Sequence, residues 1–170
     1  MKKSITLFAL LIIGTLSFAG NPLKVKSGNL NFMQNTAIAK LEMDYSNTTW
    51  EKKRSYKEFC DDSYDERVEQ SAIAFTNGFN SASKTLKISD VEENPKYTIT
   101  VHVEDLERKV FDIAEFYIRI VGTISVVDNE TGEEVCVIEI DKLKGSASYV
   151  PDVRLFNCFQ TLGIKLAKLK

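Results

Sequence analysis

His102 is the sole histidine in a chain of 170 residues, so any imidazole chemistry must pass through it. Imidazole titrates near neutrality and can act as a base or a ligand. Residues 97–104 alternate apolar and polar, which puts His102 on one side of a strand with Thr98, Thr100 and Glu104. Glu42, Asp44, Glu139 and Asp141 take the corresponding outward positions of two other strands, with Lys40 and Arg119 among them. Two carboxyl groups about 5 to 9.5 Å apart can hydrolyse a glycosidic bond. Carboxylate oxygens can also hold Ca²⁺. Glu42, Asp44, His102, Glu104 and Arg119 are therefore the candidate ion or ligand face. The plainer expectation is a solvated sheet face, on which acids and bases alternate and pair.

A second candidate lies at residues 45–64, where Tyr45, Trp50, Tyr56, Phe59 and Tyr64 form a local aromatic run. Tyr and Trp favour interfaces, so these residues could make a partner-binding or sugar-stacking ridge. The alternative is that they pack over the end of the sheet while nearby charges stay wet.

Much chemistry is excluded. One histidine cannot make an H-E-x-x-H zinc site, and a Ser-His-Asp triad would have to use His102 without a G-x-S-x-G elbow. There is no P-loop, no G-x-G-x-x-G and no C-x-x-C. Cys60, Cys136 and Cys158 match no zinc spacing. Export would permit one bridge, Cys60 to Cys158 or Cys136 to Cys158, or none. No cofactor is expected, and no catalytic residue is assigned.

The chain opens with Lys2 and Lys3, an apolar run at 5–16, and Ser17-Phe18-Ala19. That is the plan of a secretory leader at 1–19 cleaved after Ala19, which predicts a periplasmic or extracellular protein. The run is short for a bilayer core that needs about 20 apolar residues. Residues 20–170 then form one domain, with no membrane span expected. The formal charge falls from −2 to −4 when Lys2 and Lys3 leave with the leader. An acidic domain without a basic patch is a poor partner for nucleic acid.

Periodicity supplies the elements that must position these residues. A short strand is predicted at 23–26 and a main strand at 36–45. Val68, Ala72, Phe75, Phe79, Ala82 and Leu86 make one stripe of a helix over 62–87, with Asp61, Asp62 and Ser63 as cap candidates. Strands follow at 96–105, 115–127 and 134–141, the last two joined as a hairpin through DNETG at 128–132. Pro151 opens a final helix with the stripe Leu155, Phe159, Leu162, Leu166 and Leu169. The prediction is an α+β fold, a two-layer α/β sandwich of order β-α-β-β-β-α, with a mixed sheet and both helices on one face.

VKSGNLNF at 25–32, followed by a strand ending LEMDYSN at 41–47, resembles a group of small exported Bacteroidota proteins of unknown function. They share a V-x-S-G-x-L-x-F lead, a strand ending D-Y-S-N, a long helix, a hairpin and a C-terminal helix. The resemblance implies a sandwich similar to the N-terminal domain of the periplasmic protein TolB, and it transfers no catalytic residues. The expected function is a non-enzymatic secreted or periplasmic domain that binds an envelope protein or surface ligand. The alternative is a carboxylate-based hydrolase acting on an envelope or extracellular glycan.

Overall fold

The computed structural model describes residues 21–110 and 116–170. The expected leader at 1–19 lies outside them, as does Glu115 at the start of the expected third strand. Eight strands form one mixed sheet: β1 (Leu23–Gly28), β2 (Ile38–Asp44), β3 (Thr49–Trp50), β4 (Arg54–Ser55), β5 (Lys87–Ile88), β6 (Tyr97–Val110), β7 (Phe116–Asp128) and β8 (Glu133–Lys144). The helices are α1 (Tyr56–Cys60), α2 (Tyr64–Ala82) and α3 (Pro151–Ala167). The main path through the sheet runs β1-β8-β7-β6-β2-β5. β2 lies parallel to β5 and β6, whereas the β6-β7-β8 meander and β1 are antiparallel.

The long helices share one face of the sheet, as the single wet face of each strand requires. Phe75 and Phe79 from α2, and Phe159, Leu162 and Leu166 from α3, are fully buried. They meet an inward row that includes Ile99, Val101, Ile120, Ile124, Ile138 and Ile140, also fully buried. The β7-β8 turn follows its sequence: Asp128 accepts from the Gly132 amide at 2.8 Å, and Gly132 takes a φ of 72°.

Several boundaries and caps differ from expectation: β6 runs on to Val110 and β8 to Lys144, past the expected 105 and 141. α2 stops at Ala82, because the Ser83 backbone turns extended and its hydroxyl bonds the Leu86 carbonyl at 2.6 Å. Leu86 still reaches the core, but from a loop. The stretch after Trp50 folds into the β3-β4 hairpin and α1, with Ser55 capping α1 through the Glu58 amide at 3.1 Å. Ser63 precedes α2 but donates to the Cys60 carbonyl instead of capping with its side chain. All three cysteines are buried free thiols, and of the alternatives left open the unbridged one is found. Burial pushes the Cys158 thiol up to about 12.

Two features of β6 prepare the functional end. It holds 14 residues, about 46 Å at 3.3 Å each. The 19 residues of α2 span only about 28 Å. The excess projects past the helix N-termini, where Phe116 bridges to Ser148 just before α3. A β-bulge between Val103 and Asp105 also shifts the alternation by one residue. Before it, Val101 and Val103 face the helices. After it Leu106 does, so Arg108 shares that face, while Asp105 turns to the opposite one.

Candidate functional site

On the helix-free face, β2, β6 and β7 align Asp44 beside His102 and His102 opposite Thr123. The His102 Nδ1 lies 2.9 Å from Asp44 Oδ2, and Nε2 lies 3.0 Å from Ser125 Oγ. This is the connectivity of a Ser-His-Asp relay, which the strand alternation alone did not reveal. Acyl transfer also needs free N–H donors aimed at a developing oxyanion and a site that excludes water. Here the backbone donors of three paired strands are engaged in the ladder, and the His102 and Asp44 side chains are 38% and 40% exposed.

Asp44 is a strong acceptor. The Ser46 hydroxyl at 2.6 Å lowers its pKa most, then His102, to about 2 from 3.8. A folded value below the unfolded one means that Asp44 stabilises the fold above about pH 4, and that this is lost as pH falls toward 2. Solvent screening at this exposure holds the contribution to about 1 kcal/mol. In acid titration followed by circular dichroism, Asp44→Asn should lower stability at pH 7 and flatten the loss between pH 4 and 2. A variant that keeps the wild-type slope there would refute the assignment.

The other residues of this face are paired or solvated. Glu42 binds Lys40 at 2.9 Å, Glu139 binds Lys26 at 3.3 Å and Asp141 binds Lys24 at 3.4 Å. Glu104 is the exposed residue of the bulge. Arg119 does not bridge these acids as expected. Its guanidinium donates to the Tyr117 hydroxyl at 3.2 Å and lies opposite Glu107 across the strands. Among the described residues no group of three or more His, Cys, Asp or Glu side chains could hold a metal ion. Among the described residues two carboxyls shift, Asp44 and Glu107, and both move down, Glu107 chiefly through Lys109. A general acid for glycoside cleavage needs a shift upward.

The aromatic run lies at the projecting end of the sheet. β3 pairs with β6 at Asp105 and Leu106, beyond the end of β2. Asp105 anchors it, accepting from the Thr49 hydroxyl and, at 3.0 Å, from the Lys52 amide. Trp50 and Phe59 stack with centroids 4.0 Å apart. Tyr45 and Tyr56 stack at 5.5 Å and are buried, which corrects the picture of an exposed ridge running from 45 to 64. Tyr64 is half-buried against Tyr56, with Lys57 over its ring. The residues of the run that remain partly accessible are Trp50, Phe59 and Tyr64.

Trp50, Tyr56 and Phe59 wall a cavity of about 190 Å³ that Arg67, Arg108 and Arg154 enter from α2, β6 and α3. Arg154 is 7% exposed and donates to the Ser148 carbonyl at 2.6 Å and the Tyr149 carbonyl at 2.7 Å. Arg67 binds Asp152 at 3.1 Å. Burial disfavours its charged form, yet Asp152 and other neighbours outweigh this and raise its pKa. Arg108 lies over the Phe116 ring at 5.4 Å, its Nε 3.9 Å from Glu51. Sequence reasoning missed all three arginines. They are 41 and 46 residues apart, and no local spacing links them.

No protein-family model matches the chain, and no curated protein matches it. Solved structures overlap it loosely. The PelC dodecamer from Paraburkholderia phytofirmans is 11% identical, with 85% of this chain and 96% of that one covered at a TM-score of 0.47. A minor lipoprotein from Acinetobacter baumannii is 12% identical, with 78% and 92% covered at 0.37. A homolog of neuraminyllactose-binding hemagglutinin from Helicobacter pylori is 8% identical, with 80% and 87% covered at 0.37. Among the described residues, no helix is long and apolar enough to cross a membrane.

Proposed function

We propose that this chain is a non-enzymatic binding domain of the cell envelope, and that its ligand or partner docks at the aromatic end of the sheet. One observation carries this reading. Exposed apolar side chains gather at this end, next to residues that line the cavity: Val110 is 69% exposed, Val150 53% and Val153 41%. Register places them together, since Val110 pairs with Phe116, which bridges to Ser148 just ahead of α3. Exposed apolar clusters rimmed by charge mark interaction surfaces. The leader pattern at 1–19 supports export.

The test uses residues 20–170 as bait for envelope extract, beside a Val110→Asp/Val153→Asp form. Both substitutions lie on the surface, so the fold should survive. The expected result is a species that only the unaltered bait retains and that, once purified, shifts Trp50 emission. Equal recovery by both forms would remove this end from binding. The Asp44–His102–Ser125 relay favours a second reading, ester hydrolysis. Turnover of an activated ester that Ser125→Ala abolishes would overturn the non-enzymatic assignment.

A further inference from the structure

We infer that the end cavity is a carboxylate seat, which takes the acid group of a small ring-bearing organic acid. The inference rests on the reading that the aromatic end is the binding end, and adds the chemistry of what binds there. Three guanidinium groups line the cavity against one carboxylate, that of Asp152. With Glu51, 3.9 Å from Arg108, counted as well, the local excess is one positive charge in a chain whose formal charge is −2. Like charges gathered at a half-dry site favour an incoming anion.

Geometry supports the carboxylate in particular. The Arg67 guanidinium already holds a carboxylate at this site, Asp152 at 3.1 Å, so the cavity accepts that group's shape. Arginine's planar fork matches a planar carboxylate with two parallel bonds. Arg154 is held in place by the carbonyls of the loop before α3, which fixes its direction in advance. Arg108 is half-exposed at the mouth, and its one acidic neighbour, Glu51, stands 3.9 Å away. It is the guanidinium most available to a ligand.

The walls specify the rest of the molecule. The stacked faces of Trp50 and Phe59 are turned to each other, and Arg54 lies 4.7 Å from the Phe59 centroid. The aromatic edges that remain carry partial positive charge and suit an anion. Ile118 and Leu155 add apolar surface for a ring. At about 190 Å³ the cavity is smaller than the usual range of about 300–1,000 Å³ for ligand pockets, so it fits one small acid. Inorganic phosphate supplies charge and nothing to fill the apolar wall.

Trp50 is the single tryptophan of the chain, so its emission reports this end of the sheet. Residues 20–170 are titrated with benzoate and glucuronate, with their neutral counterparts benzamide and glucose, and with inorganic phosphate. At least one of the two acids should shift the emission saturably, with its neutral counterpart and phosphate at least about tenfold weaker. Arg108→Gln should weaken that acid about tenfold, the loss of one charge-assisted contact. Asp152→Asn removes the competing carboxylate and should tighten binding, which a purely structural role would not do. The comparison of acid with neutral counterpart needs no variant, so it stands even if one fails to fold. Acid and neutral binding alike would overturn the carboxylate seat while leaving the aromatic end as the docking surface. Phosphate binding as tightly as the acids would overturn it too. So would no response to any of the five probes, whereas the bait experiment keeps its own readout.

Discussion

Phe159→Ala is expected to destabilise the domain by about 3–5 kcal/mol, the range for a large aromatic removed from a closed core. Phe159 is fully buried at the middle of α3, and its ring centroid lies 6.1 Å from that of Tyr45. It therefore joins the helix layer to the aromatic end that holds the cavity. The cavity left behind cannot collapse, because α2 and two sheet strands fix its walls. With about 2–4 °C lost per kcal/mol in a domain of this size, the melting temperature should drop by roughly 10 °C. Trp50 emission should change with it, since Tyr45 stacks on Tyr56 and Tyr56 on Trp50 at 6.2 Å. A thermal melt that matches the unaltered protein would mean that the α3 face has been misassigned.

Gly163→Ala should also destabilise, although in an exposed helix interior the same change stabilises by about 1 kcal/mol. The sign is decided by what the new methyl meets. A Cβ at Gly163 would lie 2.3 Å from the Phe75 carbonyl oxygen and 2.7 Å from the Phe79 amide nitrogen. Both are backbone atoms of α2, so neither can rotate away. A Cβ at Gly78 would lie 2.2 Å from the Gln160 carbonyl oxygen. The two glycines form a notch where α2 and α3 cross backbone to backbone. Filling it forces the helices apart and loosens the packing of Phe75, Phe79 and Phe159 together. Overpacking of this kind costs typically about 1–3 kcal/mol, enough to reverse the propensity gain. Denaturant unfolding should show a lower midpoint for Gly163→Ala. A raised midpoint would mean that the helices have room to part.

How far the sequence could be read depended on the range of the interaction. The inward rows of β6, β7 and β8 and the stripes of α2 and α3 were legible, because burial repeats every two or about 3.6 residues along one element. The turn at Asp128–Gly132 was legible for the same local reason. The end of α2 was not, since Leu86 continues the helical stripe but reaches the core from a loop beyond Ser83. Whether Tyr45 and Tyr56 form a surface ridge or pack over the sheet end stayed open, because local composition cannot say which aromatics another element will cover.

The relay on the helix-free face shows the same division. Alternation put His102 and Asp44 on one side of their strands, but only the pairing of β2, β6 and β7 brings Asp44, His102 and Ser125 within hydrogen-bonding distance. The cavity depended on tertiary structure still more. Arg108 faces the helices because one extra residue at Glu104 shifts the phase of β6, and a bulge leaves no periodic mark in the sequence.

The sequence by itself determined an α+β domain with one greasy sheet face, two covering helices and a leader pattern, because each is written in short-range spacing. The tertiary structure alone decided that strands longer than their helices would project at one end, and that three distant arginines would meet there around stacked rings. Such a meeting depends on register and crossing geometry, which contacts between remote segments set and neighbouring residues do not.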